Sequence, residues 1–133
     1  GAANLHYLGQ LAPVELASLY ARCDVGLCAY SASSNVEMPD KIYDYTAAGL
    51  PVLVSLRGEV ADFVAAFKIG FSYNGGSADD LLCKLLTITA DSSVMQGMAA
   101  ASYGLGMEFD KNAQYRKFID VIKKVAVSSK VGD

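Results

Sequence analysis

Apolar runs and helical repeats alternate along the first half of the chain. Four short apolar runs are bounded by Gly, Pro or polar residues, as is typical of buried strands; they are residues 5–8, 24–30, 52–55 and 70–73. Between them, apolar residues recur at helical spacing and predict helices from Pro13 through Tyr20, near 39–48, and after Gly58. This alternation predicts an α/β fold, a Rossmann-like parallel sheet with helices on both faces.

The second half of the chain is predicted to be helical. Ser77 is a typical N-cap residue, and it follows Gly75-Gly76, which we interpret as a turn and not as a phosphate-binding loop. A helix rich in small residues is predicted near 92–104, and a last helix begins after Phe109. We therefore predict one domain over residues 1–133, with a helical C-terminus and a frayed tail at 127–133.

Composition and charge exclude several classes of function. The net charge is −3 and the chain has no basic footprint, so nucleic acid is not expected as a ligand. Three cysteines without CxxC spacing, Cys23, Cys28 and Cys83, are predicted to be small core residues in a reducing, cytoplasmic compartment. No metal-ligand spacing is present, and no cofactor is predicted. No apolar run approaches the ~20 residues that span a bilayer.

The segment from Met38 to Val52 is the most informative in the chain. It follows a predicted strand and a small polar loop, and it contains a short helix that Pro39 opens and Gly49 closes before the next strand. The loop of such a βαβ unit lies outside the carboxyl end of a strand, where open α/β sheets bind ligands. The start of the helix there can hold an anion with its free N–H groups and its dipole.

Several segments in their order resemble one enzyme family. Asn4–Gly9 resembles a strand that ends in Leu-Gly, Leu16–Val25 is similar to an "LYxxADV" stretch, and Pro39–Val52 resembles the signature "P…EAMAAGLPVV". Gly58-Glu59 and Glu108–Asp110 match the family's later turn and C-terminal phenylalanine. The chain thus resembles the C-terminal domain of retaining, nucleotide-sugar-dependent glycosyltransferases with two Rossmann-like domains, the GT-B fold of the glycosyl transferases group 1 (family 4) type.

The resemblance implies that this part of the enzyme binds a nucleoside-diphosphate sugar. In the family two acids seven residues apart frame the signature. The second falls on Asp44, which would bind the ribose hydroxyls. The first falls on Val36, and the adjacent Glu37 is predicted to replace it. Backbone N–H groups from Met38 to Lys41 would face the sugar and diphosphate.

The predicted site has two groups of residues. Glu37 and Lys41 are the predicted catalytic residues, and the predicted donor-binding residues are Met38, Pro39, Asp40, Asp44 and Glu59. Lys41 would pair with a phosphate, whereas Asp40 and Glu59 are also typical first-turn acids of helices. An alternative interpretation is that Glu37, Lys41 and Asp44 form an ordinary solvated charge cluster.

The resemblance also bears on partners and location. It implies transfer of the sugar to a carbohydrate or lipid-linked glycan, held by an N-terminal domain that is not in this sequence, in polysaccharide or glycoconjugate synthesis. The enzyme would be cytoplasmic, at the inner membrane surface where acceptors are lipid-linked. Two family strands are not found before Leu5, so open sheet edges would favour a homo-oligomer, and the chain alone would be inactive.

Two other functions remain as alternatives. A non-catalytic nucleotide-binding α/β module is favoured by Val36 at the first acid position. A response-regulator type of signalling domain would need an acidic cluster near the first strand, and Leu5–Gly9 contains no acid.

Overall fold

The computed structural model describes residues 3–128, and their side chains up to residue 125. Six helices and three strands lie within these residues. The helices are α1 Pro13–Tyr20, α2 Asp40–Ala47, α3 Glu59–Ala66, α4 Ala78–Thr89, α5 Ser92–Glu108 and α6 Lys111–Ser128. The strands are β1 Gly26–Cys28, β2 Val52–Val54 and β3 Gly70–Ser72. All three strands and all six helices fall on segments for which the sequence predicted them.

The three strands form one parallel sheet in the order β1-β2-β3. Leu27 of β1 lies opposite Leu53 of β2, which lies opposite Phe71 of β3. Each strand is followed by a helix, so α2 and α3 are the crossovers that parallel pairing requires. The predicted α/β class with a parallel sheet is confirmed.

Helices cover both faces of the sheet, as predicted. Val52 and Val54 are completely buried on one face, where they join a cluster with Ile42 of α2 and Val60 of α3. Leu53 points to the opposite face because side chains alternate along a strand. There it packs in a second cluster with Ile88 of α4 and the buried Tyr73.

The strand predicted at residues 5–8 is wrong. This segment is irregular and exposed: Leu5 retains 79% of its accessible surface and Tyr7 97%. A strand needs a hydrogen-bonded partner, and an apolar pattern alone does not supply one. On this side the sheet ends at β1, where Leu27 is also exposed.

The expectation of three core cysteines is wrong for two of them. Cys28 of β1 is completely buried, but Cys23 and Cys83 are exposed. Cys83 lies on a face of α4 that also carries the exposed Leu82 and Leu86. It is exposed because no element of the described chain covers this face. All three thiols are free.

Helix α5 packs against α2 and holds it in place. The buried hydroxyl of Ser102 donates a hydrogen bond to the carbonyl of Leu50 at 2.7 Å. One turn further, Gly106 lies directly against the backbone of Thr46, where a larger residue would collide with the carbonyl oxygen. These contacts hold the C-terminal end of α2 against α5.

Asp110 directly precedes the C-terminal helix α6, and its carboxylate accepts bonds from the N–H groups of Asn112 and Ala113 at 3.1 and 3.0 Å. It includes residues 127 and 128, and the rest of the predicted tail, 129–133, lies outside the described residues. Within residues 3–128, no helix has the length and apolarity needed to cross a bilayer.

Candidate functional site

The loops that follow the three strands are tied together at the carboxyl edge of the sheet. The hydroxyl of Ser55, after β2, accepts from the N–H of Tyr30 at 2.7 Å and donates to its carbonyl at 2.8 Å. Gly75, after β3, lies so close that a Cβ there would be 3.4 Å from the carbonyl oxygen of Tyr30. This edge is where parallel sheets place ligands.

A cleft of about 570 Å³ opens at this edge, between the loop after β1 and the start of α3. We call it the polar cleft; it is lined by Ser34, Asn35, Val36, Glu37, Arg57, Gly58 and Glu59. It therefore brings together two of the predicted site residues, Glu37 and Glu59, which are 22 positions apart in the sequence. Both carboxylates are exposed.

Arg57 is a residue of this cleft that sequence reasoning missed. Its guanidinium donates to the Oδ1 of Asn74 at 3.1 Å. Asn74 in turn donates from its backbone N–H and its Nδ2 to one carboxylate oxygen of Asp80, at 2.7 and 2.9 Å. The one signal that could have identified Arg57 was its position, three residues after β2 at the carboxyl edge of the sheet.

The N-terminus of α2 follows Glu37 closely. Pro39 is the N-cap residue, and no side chain accepts a hydrogen bond from the first turn. Ile42 donates to the carbonyl of Pro39 at 3.0 Å. Asp40 and Lys41 thus present the first-turn amides that helices leave without an internal partner.

The structure limits what Met38 and Pro39 can contribute. Pro39 is buried and Met38 is half-buried against the core cluster beneath α2. Proline also has no N–H, so the expected row of donors from Met38 to Lys41 lacks one member. Any contact of Met38 with a ligand at this helix end would come from its backbone.

Lys41 lies over the end of β1. Its Nζ is 6.0 Å from the centre of the Tyr30 ring, within cation–π distance. Lys41 also influences the Cys28 thiol. Burial raises the pKa of this thiol to about 11, and the positive charge of Lys41 acts in the opposite direction. Lys41 thus adds positive charge at the N-terminus of α2, although it does not line the polar cleft.

Asp44 lies in a different cleft. This second cleft, of about 510 Å³, separates α1 from α2, and we call it the α1–α2 cleft. It is lined by Pro13, Leu16, Ala17, Tyr20, Ala21, Asp44, Ala47 and Ala48. Asp44 is exposed there. Burial is the main cause that raises the pKa of Tyr20, and the negative charge of Asp44 is the second cause. The structure does not bring Asp44 to the same cleft as Glu37 and Glu59.

The Gly75-Gly76-Ser77 segment behaves as the turn and cap that the sequence predicted. The Ser77 hydroxyl accepts from the N–H of Asp80 at 3.2 Å and caps α4. The N–H of Ser77 donates to the carbonyl of Asn74 at 3.0 Å, which closes the turn.

The polar cleft has the chemistry of a site for a polar, hydroxyl-rich ligand. Carboxylates accept from hydroxyl groups, and a guanidinium donates to oxygen ligands in a fixed geometry. In the described part of the chain, no cluster of three or more His, Cys, Asp or Glu side chains could hold a metal ion. Comparison with protein-family models, curated proteins and solved structures finds no match for this chain.

Proposed function

We propose that this chain is the donor-binding part of a retaining, nucleotide-sugar-dependent glycosyltransferase of the GT-B type. The observation that carries the proposal is the polar cleft at the carboxyl edge of a parallel sheet, where Glu37, Arg57 and Glu59 meet beside the N-terminus of α2. Together with the sequence resemblance, this arrangement supports a ligand with both hydroxyl groups and phosphates.

The two ends of such a donor would bind to different groups. Glu37 and Glu59 accept bonds from the sugar hydroxyls in the polar cleft. The diphosphate lies against the amides of Asp40 and Lys41, where the helix dipole and the Lys41 ammonium stabilise its negative charge. Asp40 is a first-turn acid that stabilises the helix, and its charge disfavours the diphosphate.

The position of Asp44 sets the direction of the nucleoside. Asp44 is four residues further along α2 than Asp40, about 6 Å along the helix axis. A donor whose diphosphate lies at the N-terminus of α2 would therefore extend its ribose towards the α1–α2 cleft, where the Asp44 carboxylate is exposed. The two clefts then serve the two ends of one ligand.

The reaction needs no base from the described residues. The bond from the sugar C1 to the phosphate oxygen breaks, and a bond from C1 to the acceptor oxygen forms on the same face. The acceptor proton passes to a phosphate oxygen of the leaving nucleoside diphosphate. Positive groups at the N-terminus of α2 stabilise the charge that develops on that leaving group.

The acceptor in this proposal is a carbohydrate or a lipid-linked glycan, held outside the two clefts by another part of the enzyme. The enzyme would serve polysaccharide or glycoconjugate synthesis, in the cytoplasm and peripherally at the inner membrane surface. A second candidate function is non-catalytic nucleotide binding. It is favoured by Val36, an apolar residue that lines the polar cleft where the family signature has its first acid.

Calorimetric titration of the chain with UDP, GDP and their sugar conjugates tests the proposal. We expect Lys41→Ala and Asp44→Ala each to raise the Kd about tenfold or more, and Arg57→Ala, in the cleft assigned to the sugar, to do so for the sugar conjugates, because each removes a charge-assisted hydrogen bond worth about 1.5–3 kcal/mol. Asp62→Ala is the matched control, since Asp62 is an exposed acid of α3 that lines neither cleft.

The outcomes separate the parts of the proposal. If none of the nucleotides or nucleotide sugars binds, both candidate functions are wrong. If they bind and Asp44→Ala has no effect, only the ribose assignment is wrong. Binding of the nucleotide without any transfer by a protein that also carries the acceptor domain would select the non-catalytic module.

A further inference from the structure

Helix α6 has one continuous apolar face that is exposed to solvent. At 100° per residue, the face is formed by Tyr115, Phe118, Ile119, Ile122 and Val125. These side chains are exposed, with Phe118 retaining 61% and Val125 64% of their accessible surface. Neither of the two core clusters contains a residue of α6.

The charge of α6 is opposite to that of the chain before it. Residues 111–128 carry five basic side chains and one acid, a net charge of +4. Residues 3–110 carry five basic and twelve acidic side chains, a net charge of −7. The positive charge of this protein is therefore concentrated on the helix that also carries the uncovered apolar face.

Most of these charges lie on the polar side of α6. At 100° per residue, Arg116 and Lys123 border the apolar face on one side. Lys117 and Lys124 lie further round the helix, next to Asp120 and opposite the apolar face. The long side chains of Arg116 and Lys123 can place their charged ends in one plane while the apolar face lies below it.

We propose that α6 binds in the plane of an anionic lipid surface, with its apolar face among the acyl chains and the bordering cations Arg116 and Lys123 at the headgroups. An amphipathic helix with a basic polar side and aromatic residues on its apolar side is the pattern that binds such surfaces. A second copy of α6 is a poor occupant, because two helices of net charge +4 repel each other. The inference deepens the peripheral membrane location in the proposed function, but it does not depend on donor binding.

Vesicle co-sedimentation of the whole chain tests this binding. We expect the chain to bind vesicles of phosphatidylcholine mixed with phosphatidylglycerol, more weakly at high salt, and to bind phosphatidylcholine alone far less. Arg116→Ala with Lys123→Ala should lower partitioning about 30-fold, since each basic residue near the surface contributes about a factor of five. Phe118→Ser should lower it about tenfold or more by removing a buried aromatic side chain.

Matched controls separate this surface from the rest of the molecule. Arg22→Ala with Lys68→Ala gives the same net charge but changes two exposed cations outside α6, and Leu86→Ser changes an apolar residue of α4 that is 56% exposed. Both should bind vesicles like the unchanged chain. Circular dichroism of each variant verifies that α6 and the domain remain folded.

Three results would overturn the inference. The chain would not bind vesicles that contain phosphatidylglycerol, or the α6 variants would bind them as well as the unchanged chain does. The third result is a dimer of the chain in a sedimentation experiment that the Phe118→Ser substitution dissociates. Nucleotide titration of the same variants should be unchanged. Loss of lipid binding and loss of donor binding can therefore be told apart.

Discussion

The side chain of Ser55 is bonded to both backbone groups of Tyr30, as acceptor from its N–H at 2.7 Å and as donor to its carbonyl at 2.8 Å. Ser55 is buried, and it lies just beyond β2, while Tyr30 lies just beyond β1. The Ser55 hydroxyl thus connects the carboxyl ends of β1 and β2. The loops that line the polar cleft follow these two strand ends. Its loss leaves a backbone N–H without its side-chain partner.

We expect Ser55→Ala to lower the free energy of unfolding by about 1–3 kcal/mol, the cost of leaving a partly buried polar group unsatisfied. Urea denaturation measures the change. Ser72→Ala is the control, because Ser72 is an exposed residue of β3, and it should change stability by no more than about 0.5 kcal/mol. Equal effects of the two substitutions would contradict a bridging role for Ser55.

Alanine substitutions at two glycines of α5 should change the stability of the protein in opposite directions. A Cβ at Gly106 would collide with the carbonyl oxygen of Thr46, whereas nothing lies within 4 Å of a Cβ at Gly104. Gly106→Ala should therefore destabilise the protein by about 1–3 kcal/mol through overpacking. Gly104→Ala should stabilise it by about 0.5–1 kcal/mol through helix propensity. Thermal unfolding of both variants tests the pair; destabilisation by Gly104→Ala would show that contact with α2 is not the cause.

The three thiols should differ in their reaction with a soluble thiol reagent. Cys23 and Cys83 are exposed and should react quickly in the native protein. Cys28 is completely buried, and its pKa of about 11 leaves almost no thiolate near neutral pH, so it should react only after unfolding. Cys83→Ser should remove one of the two fast-reacting thiols, and Cys28→Ala should remove neither. Three fast thiols in the native protein would be inconsistent with this packing.

Stability should fall at alkaline pH because two buried groups hold their protons more tightly in the native state. Burial raises the pKa of Cys28 from 9.0 to about 11, and burial is also the main cause that raises the pKa of Tyr45 from 10.0 to about 12. Above the ordinary pKa values the unfolded chain loses these protons first, so unfolding becomes more favourable as the pH rises.

Denaturant midpoints measured from pH 8 to pH 12 test this dependence, with the decline starting near the ordinary pKa of Cys28, 9.0. Cys28→Ala should remove the part of the decline that starts there, and Tyr45→Phe the part that starts near pH 10.0. Tyr45→Phe also loses the hydrogen bond to the carbonyl of Leu27, so the shape of the profile is compared and not its height. A variant profile parallel to that of the unchanged protein would contradict the assignment.

The prediction of individual elements from the sequence worked where local pattern and burial agree. Val52–Val54 is an apolar run between a proline and a polar loop, and it forms the central strand. Leu5–Leu8 has an equally good local pattern but forms no strand, because the pattern contains no information on which neighbour will donate and accept its backbone bonds.

The candidate site shows the same division. The βαβ signature of residues 38–52 was sufficient to place the loop after β1 and the N-terminus of α2 at the carboxyl edge of the sheet, since that follows from strand direction alone. It could not place Arg57 in the polar cleft, because its position depends on Asn74, 17 residues away. The signature also could not predict that Asp44 and Glu37 line different clefts, because packing decides which face of a helix lies against which neighbour.

What the amino-acid sequence determined by itself was therefore the α/β class, the order of the elements that formed and the two-sided character of α6, all of which follow from local periodicity and turn chemistry. Tertiary structure alone decided which apolar segment joined the sheet, which cysteine was buried, and which charged side chains share a cleft. These depend on contacts between residues far apart in the chain, and only the packed arrangement of helices against the sheet specifies them.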